Sequence, residues 1–240
     1  NNNTLIMNTF TELFEFLINR DNSIINFINE SPGQEAGYRQ EALLKLLGGL
    51  NTIDKLKNYS ACSGNFNENT IEKCNNKDLF LKNNQEIDFR GNAGDSSDFT
   101  LIHNENDKHI IAISSKCLDT EHSGSLDIEK ISLYAQQYID MGYTVSYGFC
   151  VKNKKDTDNM INRTKSSSKK LAEIYYRDDT IIIDHDDLDE AFHKFKNVYK
   201  NINLSELFKA HKKPLLLKMH QKLGVMKTLR MKSERIEKVL

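Results

Sequence analysis

The sequence contains no apolar run approaching the ~20 residues that a membrane-spanning helix needs. Its first residues, Asn1–Asn3, show neither an initiator Met nor a signal-peptide pattern, and we interpret the chain as a fragment of a longer one. These absences predict an intracellular protein, of the cytoplasm or the nucleus, that is not secreted and has no membrane partner.

Paired cysteines are also missing, because Cys62, Cys74, Cys117 and Cys150 are scattered and form no CxxC motif. A zinc knuckle is therefore disfavoured, and buried free thiols in a reducing compartment are expected instead. The chain has no GxxxxGK[ST] motif, which excludes a nucleotide-hydrolysing P-loop. Repeats of fixed period are absent too.

The composition is that of a soluble globular protein, with 38% hydrophobic and 28% charged residues. The net charge of −1 conceals an uneven distribution, since the segment from Ser205 to Leu240 holds ten Lys and Arg residues against three acids. A basic tail of this kind suits a polyanion, although a solvated helix face explains it about as well.

Hydrophobic periodicity predicts the order of helices and strands. Helices are expected within residues 4–30, 34–47, 126–141, 158–176 and 186–200, with Gly48 and Gly49 ending the second. Strands are expected at residues 98–102, 109–116, 144–151 and 180–183, the first two as a hairpin. Residues 51–95 are poorly periodic and predict a short helix, loops and one strand near 87–89. This alternation predicts an α/β fold with a mixed central β-sheet flanked by helices.

Two charged residues stand at the ends of neighbouring predicted strands: Asp98 at the start of one and Lys116 at the end of the next. The strand period of two places Ala112, Ser114 and Lys116 on one face. A metal-dependent nuclease needs such a layout, with carboxylates that hold Mg²⁺ through oxygen atoms. It also needs a lysine that orients or deprotonates the attacking water, or stabilises the developing charge.

Residues 94–102 (GDSSDFTLI) and 111–117 (IAISSKC) resemble the core of the PD-(D/E)xK superfamily of restriction-endonuclease-like nucleases. They are similar to its Mrr-like branch, in which a Gly- and Asp-rich turn leads into an Asp strand and the next strand ends in (E/Q)xK. The resemblance covers residues 34–151. It implies a restriction-endonuclease-like core, a DNA substrate and Mg²⁺, for which Mn²⁺ substitutes. Asp98 takes the metal-binding role, for which Asp95 competes, and Lys116 takes the catalytic one.

A third match lies upstream, where residues 37–44 (GYRQEALL) resemble the first helix of the family, whose Glu points into the metal site. By this resemblance Glu41 takes the same role. An ordinary exposed helical Glu is the alternative.

Ser114 departs from the family pattern, which has Glu, Asp or Gln at this position. Three accounts remain open. Glu129 on the following helix supplies the missing carboxylate, as in members with an SxK strand. Otherwise Glu41, Asp98 and the backbone carbonyl of Ser115 hold a single ion, or the site is inactive and only binds DNA.

Other polar residues are candidates for contact with DNA. Gln137 corresponds to a Gln that RecB-type and lambda-exonuclease-type members carry near the DNA backbone, and a solvated helical Gln is the alternative. Lys165, Lys169 and Lys170 suit either phosphate neutralisation or a solvated loop.

Two histidine- and acid-containing groups receive other interpretations. Residues 184–187 (DHDD) resemble a metal cluster, but capping of the next helix by Asp186 or Asp187 explains them better. His103, His109 and His122 are expected to flank the proposed site, without the spacing of a zinc site.

Residues 213–221 (KPLLLKMHQ) resemble the segment that opens superfamily 2 helicase motors, which implies a helicase partner. A basic amphipathic helix for dimer packing or DNA contact is the alternative. The sequence thus predicts a helical segment at residues 1–33, a nuclease core at 34–202 and a basic helical tail at 203–240. The predicted function is a metal-dependent deoxyribonuclease, and a homodimer suits it because cutting two strands needs two sites. A catalytically inactive DNA-binding module and a protein-interaction domain are the alternatives.

Overall fold

Five strands form one mixed sheet in the order β1-β2-β3-β4-β5, as seen in a computed structural model of the chain. The strands are β1 (Tyr59–Ser63), β2 (Phe99–His103), β3 (His109–Lys116), β4 (Thr144–Val151) and β5 (Ile181–Ile183). Neighbours from β1 to β3 run antiparallel, whereas β3, β4 and β5 run parallel. The prediction of a mixed α/β sheet with flanking helices is confirmed.

The structure describes residues 7–31, 33–75, 80–87, 97–117, 128–154 and 180–202, with only the backbone for 128–133. Its helices are α1 (Phe10–Ile18), α2 (Ile24–Asn29), α3 (Gln34–Gly49), α4 (Thr70–Cys74), α5 (Phe80–Asn83), α6 (Ile128–Asp140) and α7 (His185–Tyr199). The predicted helix at 158–176 and the basic tail lie outside these residues. None of the helices described is long and apolar enough to cross a membrane.

Alternation along the strands divides the buried side chains between two faces of the sheet. On the first face, Phe99, Leu101, Ile111 and Ile113 pack in one core with the apolar sides of α1, α2, α3 and α7. On the second face, a smaller core forms from residues of β3, β4 and α6. Its members include Ile110, Ala112, Ala135, Tyr138 and Tyr147.

Helix α3 ends at Gly49, two residues beyond the predicted end at residue 47, so it includes both glycines that were predicted to end it. A Cβ atom on Gly48 would lie 2.6 Å from the ring of Phe99, and one on Gly49 would lie 2.8 Å from Leu81. The two glycines therefore allow close approach of β2 and α5. The positive φ follows later, at Asn51.

Helix α7 begins with a capping box in which Asp184 is the N-cap, so the assignment of that role to Asp186 or Asp187 is wrong. The Asp184 side chain accepts a hydrogen bond from the Asp187 amide (3.0 Å), and the Asp187 side chain accepts one from the Asp184 amide (2.9 Å). The interpretation of residues 184–187 as a helix cap is confirmed.

Strand β1 lies within residues 51–95, where the periodicity was too poor to predict it. Its sequence, YSACS, holds little of the β-branched and aromatic content that marks a strand. The strand predicted near 87–89 is not described beyond Ile87, and Glu86 forms an isolated bridge with Thr9.

Candidate functional site

Asp98 and Lys116 lie at the same end of the β2–β3 hairpin. Phe99 pairs with Ile113, and the Asp98 amide donates a hydrogen bond to the Ile113 carbonyl (3.0 Å). The register therefore brings Asp98 opposite Ser114, two residues before the last residue of β3, Lys116. Asp98 directly precedes β2, and the charge of Lys116 acts on its carboxyl group, so the two side chains lie near each other at this end of the hairpin.

The Asp98 carboxyl group lies in an unfavourable place for a negative charge. Burial, and next the charge of Glu41, raise its pKa from 3.8 to about 6. The Ser115 amide donates to Asp98 Oδ2 over 2.6 Å, and this bond and the charges of Lys116 and Lys45 act in the opposite direction. A carboxylate held in this way is stabilised by any additional cation nearby.

Glu41 reaches the same place from α3. It is half-buried and forms an ion pair with Lys45, one helical turn further on, whose side chain is 20% exposed. Lys45 Nζ and the backbone oxygen of Asp98 both lie within 4 Å of the Cβ position of Gly64, after β1. The charges of Glu41, Lys116 and Lys45 all act on Asp98, so the four side chains lie near one another. The i,i+4 spacing from Glu41 is the sequence signal that points to Lys45.

Gln40 was not among the residues predicted from the sequence, and it connects α3 to β3, β4 and α7. The residue is fully buried. Its Nε2 donates to Ser115 Oγ (3.0 Å) and to the carbonyl oxygen of Cys150 (3.1 Å). Because a carbonyl only accepts, the amide group must face it, and Oε1 then accepts from His185 Nε2 (2.7 Å).

This network holds the residue before Lys116 from two sides. The Ser115 hydroxyl is bonded to Gln40 and the Ser115 amide to Asp98. A signal for Gln40 existed in the sequence, because a polar residue stands in the apolar stripe that Ala36, Leu43 and Leu47 form on α3.

Ser114 is engaged elsewhere. It is fully buried, and its hydroxyl lies 2.9 Å from the Tyr147 hydroxyl in the second face of the sheet. The contact that the structure gives to Ser114 is thus a buried hydrogen bond within the second face. For Ser115, whose carbonyl was predicted as a ligand, the contacts with the site run through its amide and hydroxyl.

The remaining predicted site residues are placed only in part. Glu129 belongs to the first turn of α6, and its side chain is outside the described residues. Gln137 is exposed on the same helix. Asp95, Lys165, Lys169 and Lys170 lie outside the described residues.

His103 and His109 do not flank the site, and that prediction is wrong. His109 opens β3 and Lys116 ends it, so they are separated by roughly 23 Å at ~3.3 Å per residue. The two rings stack at 5.8 Å, and His109 is 2.8 Å from Ser146 Oγ. His122 lies outside the described residues.

The chemistry of the donors fits a hard divalent cation. No group of three or more His, Cys, Asp and Glu side chains suited to a metal occurs in the described part of the chain. Two carboxylates, Glu41 and Asp98, remain, and Mg²⁺ is commonly bound by one or two carboxylates with water and substrate phosphates. The four cysteines are buried and free, as predicted, and burial raises the pKa of the Cys150 thiol, which disfavours a thiolate ligand.

Comparisons with protein-family models, with curated proteins and with solved structures find no match to this chain.

Proposed function

We propose that this chain is a metal-dependent deoxyribonuclease with a restriction-endonuclease-like core, which hydrolyses phosphodiester bonds of DNA. One observation carries the proposal. The charges of Glu41 on α3 and of Lys116 at the end of β3 both act on the carboxyl group of Asp98, which directly precedes β2, and these are the three residues that the resemblance singled out. Their order along the chain is the order that the resemblance implies.

Each residue of the group has a role in this proposal. Glu41 and Asp98 hold the Mg²⁺ or Mn²⁺ ion through carboxylate oxygens. The ion lowers the pKa of a bound water and offsets negative charge on the reacting phosphate. Lys116 orients that water or stabilises the charge that develops. The Ser115 amide fixes one oxygen of Asp98, and Gln40 in turn fixes Ser115.

The second candidate is a catalytically inactive module that keeps the fold and binds DNA. Two observations favour it: Ser114 is buried against Tyr147, and the described residues bring only two carboxylates to the site. Under the nuclease proposal, Glu129 is the residue that would supply a third.

The partners remain proposals of the same kind. DNA is the substrate, the homodimer accounts for cutting of two strands, and the segment at 213–221 suggests a helicase partner. The division of the chain at residues 33 and 202 also stays a prediction.

Nicking of a supercoiled plasmid, in Mg²⁺ or Mn²⁺ against EDTA, tests the proposal. We expect metal-dependent conversion to the open circle, lost in both Asp98→Ala and Lys116→Ala and retained in Lys108→Ala, a lysine of the β2–β3 turn. Salt-dependent retention of DNA without nicking would favour the inactive module. If the protein did not bind DNA even at low salt, the protein-interaction domain would be left.

A further inference from the structure

A cavity of about 230 Å³ opens beside the Glu41–Lys45 ion pair. Phe10 and Phe80 line it, both almost fully buried, and Ser63 and Lys73 contribute polar atoms from β1 and α4. Glu41 lines this cavity as well, so the cavity and the candidate metal site share that residue.

Two ammonium groups converge on the end of β1. Lys73 Nζ donates to Ser63 Oγ over 3.2 Å. Lys45 Nζ lies 3.4 Å from the Cβ position of the next residue, Gly64, where the absence of a side chain leaves room. The Ser63 hydroxyl also accepts from the Asn65 amide (3.2 Å), so both its lone pairs are used and its proton can be donated.

The charges around the cavity are unequally balanced. Lys45 is neutralised by Glu41, whereas the hydrogen bond described for Lys73 goes to a neutral hydroxyl. Glu86, the other acid in the lining, is exposed as Lys73 is, and solvent screens both charges. If Glu41 binds a divalent ion, Lys45 loses its ion-pair partner, and the ammonium groups of Lys45 and Lys73 then both face the cavity.

We infer that this cavity is a phosphate subsite, in which Lys45, Lys73 and the Ser63 hydroxyl bind a backbone phosphate of the nucleic-acid substrate adjacent to the one that is cleaved. Two ammonium groups and a hydroxyl are matched donors for phosphate oxygens. The inference rests on the proposed function for the identity of the substrate. Phe10 and Phe80 shape the cavity, whereas Lys45, Lys73 and Ser63 supply the groups that bind phosphate.

Binding of a fluorescently labelled single-stranded oligonucleotide by the full chain, followed by anisotropy in EDTA over a series of salt concentrations, tests the subsite. Lys73→Ala should weaken binding ~5-fold to 10-fold and reduce the slope of log affinity against log salt by about 1. Lys73 is exposed, so the folding risk is small, and Lys108→Ala is the matched control. Equal affinity and slope in the two variants would overturn the inference, as would the absence of any binding by the wild type.

A second variant separates the roles of the two lysines. Glu41→Gln removes the partner of Lys45, so in EDTA it should bind the oligonucleotide more tightly than the wild type does. Inorganic phosphate should compete with the oligonucleotide more effectively for the wild type than for Lys73→Ala. Weaker binding by Glu41→Gln, or equal competition by phosphate, would contradict the subsite.

The phosphate-subsite inference and the nuclease proposal can be contradicted independently of each other. If Lys73→Ala loses affinity as expected but the wild type never nicks plasmid with Mg²⁺, the subsite stands and hydrolysis does not. If the wild type nicks plasmid and Lys73→Ala binds and cleaves equally well, the nuclease stands and the subsite is wrong.

Discussion

At one end of β3, His109 is bonded to Ser146 and stacked on His103, and the ring of Tyr59 packs edge-on against both histidines. At the other end, Asp98 is held where burial and the charge of Glu41 raise its pKa to about 6. The first end satisfies its polar groups by ordinary contacts. The second end holds a carboxylate whose burial lowers the stability of the fold. Destabilising groups of this kind are characteristic of binding and catalytic sites.

The largest expected difference between the two ends is in catalysis. Lys116→Ala should lower kcat for plasmid nicking by ~10²-fold to 10⁴-fold, the usual range for a group that positions or deprotonates water. His103→Ala, at the other end of the hairpin, should leave kcat unchanged. Equal loss in both variants would show that the two ends do not differ in function.

The next effect concerns the cost of the buried charge. Because the folded-state pKa of Asp98 is raised from 3.8 to about 6, the stability linked to this group is full below pH 3.8 and is lost as the pH rises through about 6. Asp98→Asn should therefore gain up to about 3 kcal/mol relative to the wild type between pH 4 and pH 7, at 1.36 kcal/mol per pKa unit.

Urea unfolding of both proteins at the two pH values measures this gain. Asp107→Asn, in the exposed turn at the His109 end, is the matched control and should show no such dependence. If Asp98→Asn were no more stable than the wild type at pH 7, the charge of the Asp98 carboxylate would not destabilise the fold.

A smaller effect is expected for the network behind the site. Gln40→Met keeps the volume but removes the hydrogen bonds from Gln40 to the Cys150 carbonyl, the Ser115 hydroxyl and His185, which should cost ~2 kcal/mol of unfolding free energy. Gln136→Met, on the exposed side of α6, should cost less than ~0.5 kcal/mol. Similar values for the two variants would contradict the assigned role of Gln40.

The smallest effect is expected in the second face. Tyr147→Phe removes the hydroxyl that bonds Ser114 and should cost ~1 kcal/mol, without a change in kcat. Thermal unfolding and plasmid nicking measure the two quantities. A loss of kcat larger than tenfold would place Ser114 in the catalytic machinery after all.

Much of the sheet could be predicted because its strands are rich in β-branched residues. The apolar runs within residues 110–113 and 145–151 indicated β3 and β4, and the predicted hairpin brought the start of β2 beside the end of β3. Strand β1 was missed because its Ser, Ala and Cys residues take their stability from pairing with β2 rather than from their own propensity.

The errors at the site have a common cause. His103 and His109 are near Asp98 in the sequence, but an antiparallel hairpin sends the turn and its neighbours to the opposite end of the sheet. Gln40 is distant in the sequence from β3 and reaches Ser115 only through the packing of α3 on the first face. Contacts of this kind follow from tertiary structure, which local periodicity does not contain.

Calorimetric titration of the protein with Mn²⁺ tests most directly whether Asp98, beside the Lys116 end of β3, belongs to a cation site. The account predicts one site, weakened at least tenfold in Asp98→Asn and in Glu41→Gln, and weaker at pH 5 than at pH 7.5, because protons then compete for Asp98. Binding that is equally tight in the wild type, in Asp98→Asn and in the control Asp107→Asn would contradict it.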